Sequence, residues 1–184
     1  MPIPWKVIGS RITYRDRWLT VRSDRCVRWD GSILDPYHVI EYSTWVSMIA
    51  LTQKNHVVLT REYRHGSGCI ETGLPGGGVE SSDAGPAAAA ARELLEETGY
   101  SCETWHEVGR CYANSASQNN EIVFYLGLGA IKTSPQAFDD GEDIDVVLMP
   151  WKRYVERATK CITQAFHVAA ILYVERFMGN LARD

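Results

Sequence analysis

The chain has 184 residues, 45% of them hydrophobic and 23% charged, which describes one globular domain with a full core and room for a small appended lobe. Its formal net charge of -4 argues against nonspecific nucleic-acid or anionic-membrane binding, but not against a small phosphorylated substrate, because a bound cation reverses the sign locally. Five scattered cysteines form no Cys-x-x-Cys and read as reduced thiols of a cytoplasmic protein. No leader-like opening and no apolar run near about 18 residues suggest secretion or a membrane span.

Residues 1–43 read as β structure and as a small lobe of their own, with the remainder, 44–184, as the main domain. Trp18 to Arg22 alternates apolar and polar residues. Cys26 to Trp29 runs into Asp30-Gly31, a hairpin signal, and Tyr37 to Tyr42 supplies a returning strand. Trp45 to Thr52 and His56 to Thr60 are apolar strands joined by a turn at Lys54-Asn55. The polar, glycine-rich stretch from Arg61 to Gly78 reads as a binding loop rather than an element. Pro86 suits the first turn of a helix, Ala87 to Ala91 favour its continuation, and Gly99 suits its end.

Ile122 to Leu128 and Ile144 to Met149 are further strands, with an acidic loop from Lys132 to Asp143 between them. Pro150 ends the second, and helices follow at 151–158 and 163–178. Strands, helix, strands and helices in that order predict an α+β fold or an α/β/α sandwich.

The chemistry concentrates in LPGGGVESSDAGPAAAAARELLEETGY, residues 74–100. At about 100° per residue, Glu93, Glu96 and Glu97 fall in one sector of a helix, with Arg92 beside it. Like charges at that spacing destabilise a helix by a few tenths of a kcal/mol per pair, and a divalent cation is the usual reason to gather them.

This segment resembles the Nudix box, G-x5-E-x7-R-E-U-x-E-E-x-G-U with U a bulky apolar residue. Arg92 to Gly99 meets the second half, Tyr100 is acceptable as the last position, and Leu74-Pro75-Gly76-Gly77 matches the opening. The first half departs. With Gly77 as the opening glycine, the acid position holds Asp83 instead of glutamate, and one extra residue precedes Arg92. Val58 to Gly66 (VLTREYRHG), together with the N-terminal pattern from Trp5 to Trp45-Val46, resembles the ADP-ribose pyrophosphatase branch of that family.

The resemblance implies a Nudix-type α/β/α sandwich with a small N-terminal β lobe, and hydrolysis of a nucleoside diphosphate linked to another group. It implies Mg²⁺, or Mn²⁺, as cofactor, with Glu93 and Glu97 as direct ligands, Glu96 in the metal cluster and catalysis, and the Gly77 carbonyl as a further ligand. Arg92 would orient the glutamates. Arg61 and Arg64 suit contacts to phosphate, since guanidinium groups grip it through two bonds. Glu71 is a third candidate substrate contact. From the acidic loop, Glu142 and then Asp140 would complete the metal site or take the proton of the attacking water. Glu121 is a further metal or water contact.

Trp45, Tyr112 and Phe124 could stack on a base, but aromatic residues in strands more often belong to a core. The expected substrate is ADP-ribose or a related nucleotide sugar. NADH, dinucleoside polyphosphates, nucleoside triphosphates and a non-catalytic nucleotide-binding module are the alternatives. The resemblance also implies a homodimer formed through the N-terminal lobe.

Overall fold

A computed structural model describes residues 1–137, 143–158, 160–161 and 164–181. The chain divides into two compact units: Met1–Ser43 with Tyr112–Glu121, and Thr44–Cys111 with Ile122–Asp184.

In the first unit, β1 (Lys6–Arg15), β2 (Thr20–Val27) and β3 (Ile33–Glu41) form an antiparallel sheet in that order. Its two turns are built by aspartates. Asp16 Oδ1 accepts the backbone N–H groups of Trp18 and Leu19, both at 2.7 Å. Asp30 Oδ1 accepts that of Ser32 at 3.0 Å while Gly31 supplies the left-handed backbone. This is why Asp-Gly marks the hairpin in the sequence. The β3 edge is covered by residues 112–121: Ile40 N–H donates to Ser117 O at 2.8 Å, and Asn119 N–H donates to Ile40 O at 3.3 Å. The β1 edge has no strand beside it among the described residues, and every residue of β1 is exposed, including Val7, Ile8, Ile12 and Tyr14. Trp18 and Trp29 are 70% and 64% exposed.

The second unit begins with β4 (Trp45–Leu51), β5 (His56–Arg64), β6 (Cys69–Gly73) and β7 (Gly76–Gly78), followed by α1 (Pro86–Thr98). Next come β8 (Tyr100–Ser101), β9 (Thr104–Tyr112), β10 (Glu121–Leu128), β11 (Ile131–Lys132) and β12 (Asp145–Pro150). Helices α2 (Trp151–Ala158) and α3 (Ala165–Leu181) close it. The main sheet runs β12-β5-β4-β10-β9, with β6 on β5 and β7 on β4. Strands β4 and β10 are parallel, Trp45 opposite Ile122 through Leu51 opposite Leu128, and the remaining pairs of β4 and β5 are antiparallel. A short ribbon, β8 with β11, stands apart from it.

Both faces of the sheet are covered, so its central strands are apolar throughout instead of alternating. Val46, Met48 and Ala50 of β4 pack with Val58, Val123 and the α1 residues Ala89, Ala90 and Leu94. Ile49 and Leu51 face the other way, into a core shared with Leu59, Phe124, Leu126, Tyr154 of α2 and Ala170, Ile171 and Val174 of α3. The result is the expected α+β, α/β/α arrangement. Burying each such side chain contributes about 1.5–3 kcal/mol, and these two clusters hold the strands that carry the site.

One expectation needs correcting. The stretch 61–78 is not a loop: β5 continues to Arg64, β6 returns from Cys69, and β7 pairs with β4. Its polarity follows from position. The β5–β6 ribbon is largely exposed, so backbone pairing holds it without an apolar face. The β4–β5 turn forms where the sequence places it, with Asn55 in a left-handed conformation.

Candidate active site

Two elements build the site, the glycine strand β7 and helix α1 beside it. Strand β7 lies against the start of β4, with Trp45, Val46 and Ser47 opposite Gly78, Gly77 and Gly76. Pro86 opens α1, Gly99 closes it with φ 73°, and the Gly99 N–H donates to Leu95 O at 2.8 Å. The apolar stripe Ala89, Ala90 and Leu94 docks α1 on the sheet. That docking turns the glutamates toward β7.

Glu93 and Glu97, one helical turn apart, both reach the glycine ribbon. Glu97 is buried, and its Oε2 accepts the Gly76 N–H at 3.2 Å. The Glu93 carboxylate fills the space a side chain at Gly77 would need: a Cβ there would stand 2.1 Å from Glu93 Oε1. Glycine at 77 is thus a condition of that carboxylate's position. Glu96 lies further out, with its side chain 43% exposed and bonded to Arg92.

Arg92 is the hub. Its Nε and Nη2 donate to the two oxygens of Asp83, both at 3.1 Å, and Nη2 also donates to Gly78 O at 3.0 Å. Nη1 donates to Glu96 Oε2 at 2.8 Å and lies 3.0 Å from Glu93 Oε1. These anionic partners, Asp83 foremost, raise the Arg92 pKa, and Arg92 in turn holds the Asp83 carboxyl below the usual range. Asp83 also accepts the Glu80 N–H at 2.9 Å. The irregular half of the box therefore has a structural account. Asp83 grips Arg92 in the bidentate geometry of a carboxylate and a guanidinium, and the shorter side chain and extra residue are absorbed in the turn before α1.

Three expected substrate residues lie on the β5–β6 ribbon, on different faces. Arg61 and Arg64 are three positions apart in one strand, so their side chains point to opposite sides. Arg61 is paired with Asp145 of β12 at 2.6 Å, and Arg64 with Glu62 at 2.7 Å. Glu71 sits opposite Glu62 in the ladder and accepts a hydrogen bond from Ser67 Oγ. Glu142 and Asp140 lie outside the described residues. Of the aromatic candidates, Phe124 is fully buried, Trp45 packs against the core and Tyr112 is exposed.

Sequence reasoning assigned no role to His167, and the structure gives it one. From α3 its buried ring lies under the glycine loop, close enough to Gly73 that a Cβ there would meet Cε1 at 2.2 Å. Its Nε2 accepts the Leu74 N–H at 3.3 Å. Burial, and then the nearby Arg64 charge, push its pKa down to about 4, so the ring stays neutral and keeps its acceptor. Nothing in the spacing of a lone histidine signals this.

The low pKa has a stability consequence. Between pH 6.5 and about 4 the unfolded chain takes up a proton at His167 that the folded protein refuses, so stability falls as pH falls through that window. Between pH 7 and 5 the expected loss from this group is about 2 kcal/mol. Urea unfolding at the two pH values measures it against His167→Gln, which lacks the titrating group. An equal pH slope in both proteins would remove His167 as the cause.

A divalent cation is tested against these residues by their donor chemistry. Among the described residues, no three His, Cys, Asp or Glu groups stand close enough to hold an ion unaided. Two carboxylates against one backbone ribbon nevertheless form an all-oxygen set suited to a hard cation. Mg²⁺ commonly takes only one or two protein carboxylates, with water and substrate phosphate completing its shell. The residues fit.

Residues 42–166 match the family model described as NUDIX domain, and residues 5–40 match the nucleoside diphosphate sugar hydrolase N-terminal domain. The chain is 25% identical over 184 residues to an ADP-ribose pyrophosphatase of Mycobacterium tuberculosis, spanning 97% of this chain and 87% of the relative. It is 31% identical over 111 residues to a methanol dehydrogenase activator of Bacillus methanolicus, 59% of either chain. A crystal structure of an ADP compounds hydrolase superposes with a TM-score of 0.84 at 19% identity, covering 100% of this chain and 99% of the other, a likeness of fold. With the glycine ribbon, the Arg92 hub and a domain match across most of its length, the chain belongs to the Nudix hydrolase family.

Proposed function

We propose that the protein is a divalent-metal-dependent hydrolase of the pyrophosphate bond in ADP-ribose or a related nucleoside diphosphate sugar, releasing a nucleoside monophosphate and a sugar phosphate. The observation that carries this reading is the convergence of Glu93 and Glu97 on the Gly76-Gly77 backbone, beside an arginine fixed by Asp83. The substrate class is supported by the N-terminal domain match and by similarity to an ADP-ribose pyrophosphatase along nearly the whole chain.

Glu93, Glu97 and the Gly77 carbonyl would hold Mg²⁺ or Mn²⁺. When bound, the cation neutralises phosphate charge and acidifies a coordinated water. The bare glycine backbone lets a diphosphate approach closely. Arg92 spreads its charge between Glu93 and Glu96 and limits their rotation. Because Arg61 and Arg64 lie on opposite faces of β5, the one that faces the diphosphate would release its carboxylate partner to take a phosphate oxygen. Ion pairs this exposed are worth at most about 1 kcal/mol, so the exchange costs little. We assign Glu142, then Asp140, to proton removal from the attacking water.

The test is a panel of ADP-ribose, other nucleotide sugars, NADH and dinucleoside polyphosphates, assayed with Mg²⁺ and again after chelation. Chelator-sensitive cleavage of ADP-ribose to AMP and ribose phosphate is expected. Cleavage of NADH alone would move the substrate elsewhere in the family, and no turnover of any compound would favour a binding module. We further propose that a second copy covers the exposed face around Trp18, Trp29 and β1, because so many apolar side chains there lack cover. Sedimentation of the same preparation at one chain mass, 20.7 kDa, would refute that dimer.

A further inference from the structure

Helix α1 places Glu96 and Glu97 in its last turn, where no basic residue is present and the helix dipole is negative. Leu95 O accepts the Gly99 N–H of the cap, and the later carbonyls of that turn have no partners within the helix. The segment Thr133–Ala137 supplies donors instead. Thr133 and Ser134 donate their N–H groups to Gly99 O at 2.8 and 3.2 Å, and Ala137 donates to Glu96 O at 2.9 Å. Gly99 must be bare for this, since a Cβ would stand 2.2 Å from Ser134 O. The carbonyl of Glu97 itself accepts from Gln136 Nε2 at 2.6 Å. The same nitrogen donates to Ile144 O at 2.9 Å, next to the start of β12.

One primary amide thus spends both protons on two backbone carbonyls, a task that only an asparagine or glutamine can perform from a single nitrogen among the neutral side chains. Gln136 has no such use as a surface residue of a loop. Its amide joins the turn that bears Glu97 to the chain entering β12, and it is partly buried in doing so.

We propose that Gln136 is a positioning residue for Glu97: its amide locks the last turn of α1 against the backbone at Ile144 and so fixes the carboxylate that faces Gly76. The proposal rests on Glu97 being a metal-binding residue, as in the function proposed above. It adds a residue that touches neither metal nor substrate.

The experiment compares Gln136→Met, which keeps volume and loses both bonds, with Gln136→Asn, which keeps the amide on a shorter arm. For Gln136→Met, kcat is expected to fall about 10–100-fold, the usual consequence of removing a partner that orients a metal ligand. KM for the nucleotide should stay within about twofold, since no substrate contact is removed, and Mn²⁺ affinity, read by paramagnetic resonance without substrate, should weaken about tenfold. Gln136→Asn should retain part of both. A lower thermal midpoint with wild-type kcat and wild-type Mn²⁺ affinity would reduce Gln136 to a structural role and overturn the proposal.

Amide exchange of the unaltered protein gives a second decision that does not depend on a variant folding. The Gly99, Thr133 and Ala137 amides should be protected together, and free exchange at Thr133 and Ala137 beside a protected Gly99 would also overturn it. If the unaltered enzyme cleaves no nucleotide, the proposed substrate fails, while the Mn²⁺ titration and the exchange still decide for or against Gln136.

Discussion

Glu97→Gln is expected to lower turnover about 10³-fold, roughly 4 kcal/mol of transition-state stabilisation, in a protein that remains folded. The two halves of that expectation have different sources. The Glu97 oxygen that accepts the Gly76 N–H has a counterpart in the glutamine carbonyl, so the link between α1 and β7 survives. The negative charge does not survive, and with it goes the hard anionic oxygen that a divalent ion requires. Glu96→Gln is the internal comparison. Its carboxylate is bonded to Arg92 at 2.8 Å and lies further into solvent, so its loss should act through the order of the cluster and cost about tenfold. Measuring kcat, thermal midpoint and Mn²⁺ affinity for both variants separates the roles. Equal losses would mean that the proposed division between a buried ligand and an outer carboxylate is wrong, and a wild-type rate for Glu97→Gln would remove Glu97 from the chemistry.

How much of this could be read in advance depended on whether a feature was local in sequence. The α1 boundaries were legible because Pro86 and Gly99 act on their own backbone, and the central strands because burial on both faces leaves uninterrupted apolar runs. The β5–β6 ribbon was not, since an exposed hairpin carries no apolar signature and its pairing partners lie outside the local window. The glutamate cluster was legible from helical spacing, and its grouping around Arg92 follows that spacing. Asp83 was placed at the acid position by alignment alone, and only the geometry explains how a shorter carboxylate serves there. That Arg61 and Arg64 lie on opposite faces was hidden as well, because the strand period applies to them only once β5 is known to extend through Arg64. Gln136 and His167 act across 39 and 93 residues of sequence, on backbone atoms, and no side-chain pattern records a hydrogen bond to a carbonyl or an amide.

The paired glycines of β7 should fail in different ways when given a side chain. Neither has a left-handed backbone, so space alone decides. At Gly76 an added Cβ would stand 2.3 Å from Val46 O and 3.1 Å from Ser47 Cα, both fixed in the β4 backbone. Strand β7 must then lift off β4, and Gly76→Ala should cost about 1–3 kcal/mol of stability, as overpacking of a close interior contact does, with activity falling alongside. At Gly77 the three atoms nearest the added Cβ all belong to the Glu93 carboxylate, with Oε1 at 2.1 Å and Cδ at 2.3 Å. A glutamate end group can rotate away, so Gly77→Ala should leave the unfolding midpoint nearly unchanged. The displaced carboxylate can no longer rest against the Gly77 backbone, and turnover should fall about 10²-fold, because misplacing a catalytic group by about 1 Å costs that much. Chemical unfolding and steady-state rates for the two variants decide the matter. Gly77→Ala with normal turnover would show that the position of Glu93 against the ribbon is incidental. Gly77→Ala as unstable as Gly76→Ala would show that β7 tolerates no side chain anywhere, in which case the glycines serve the strand pairing before they serve the site.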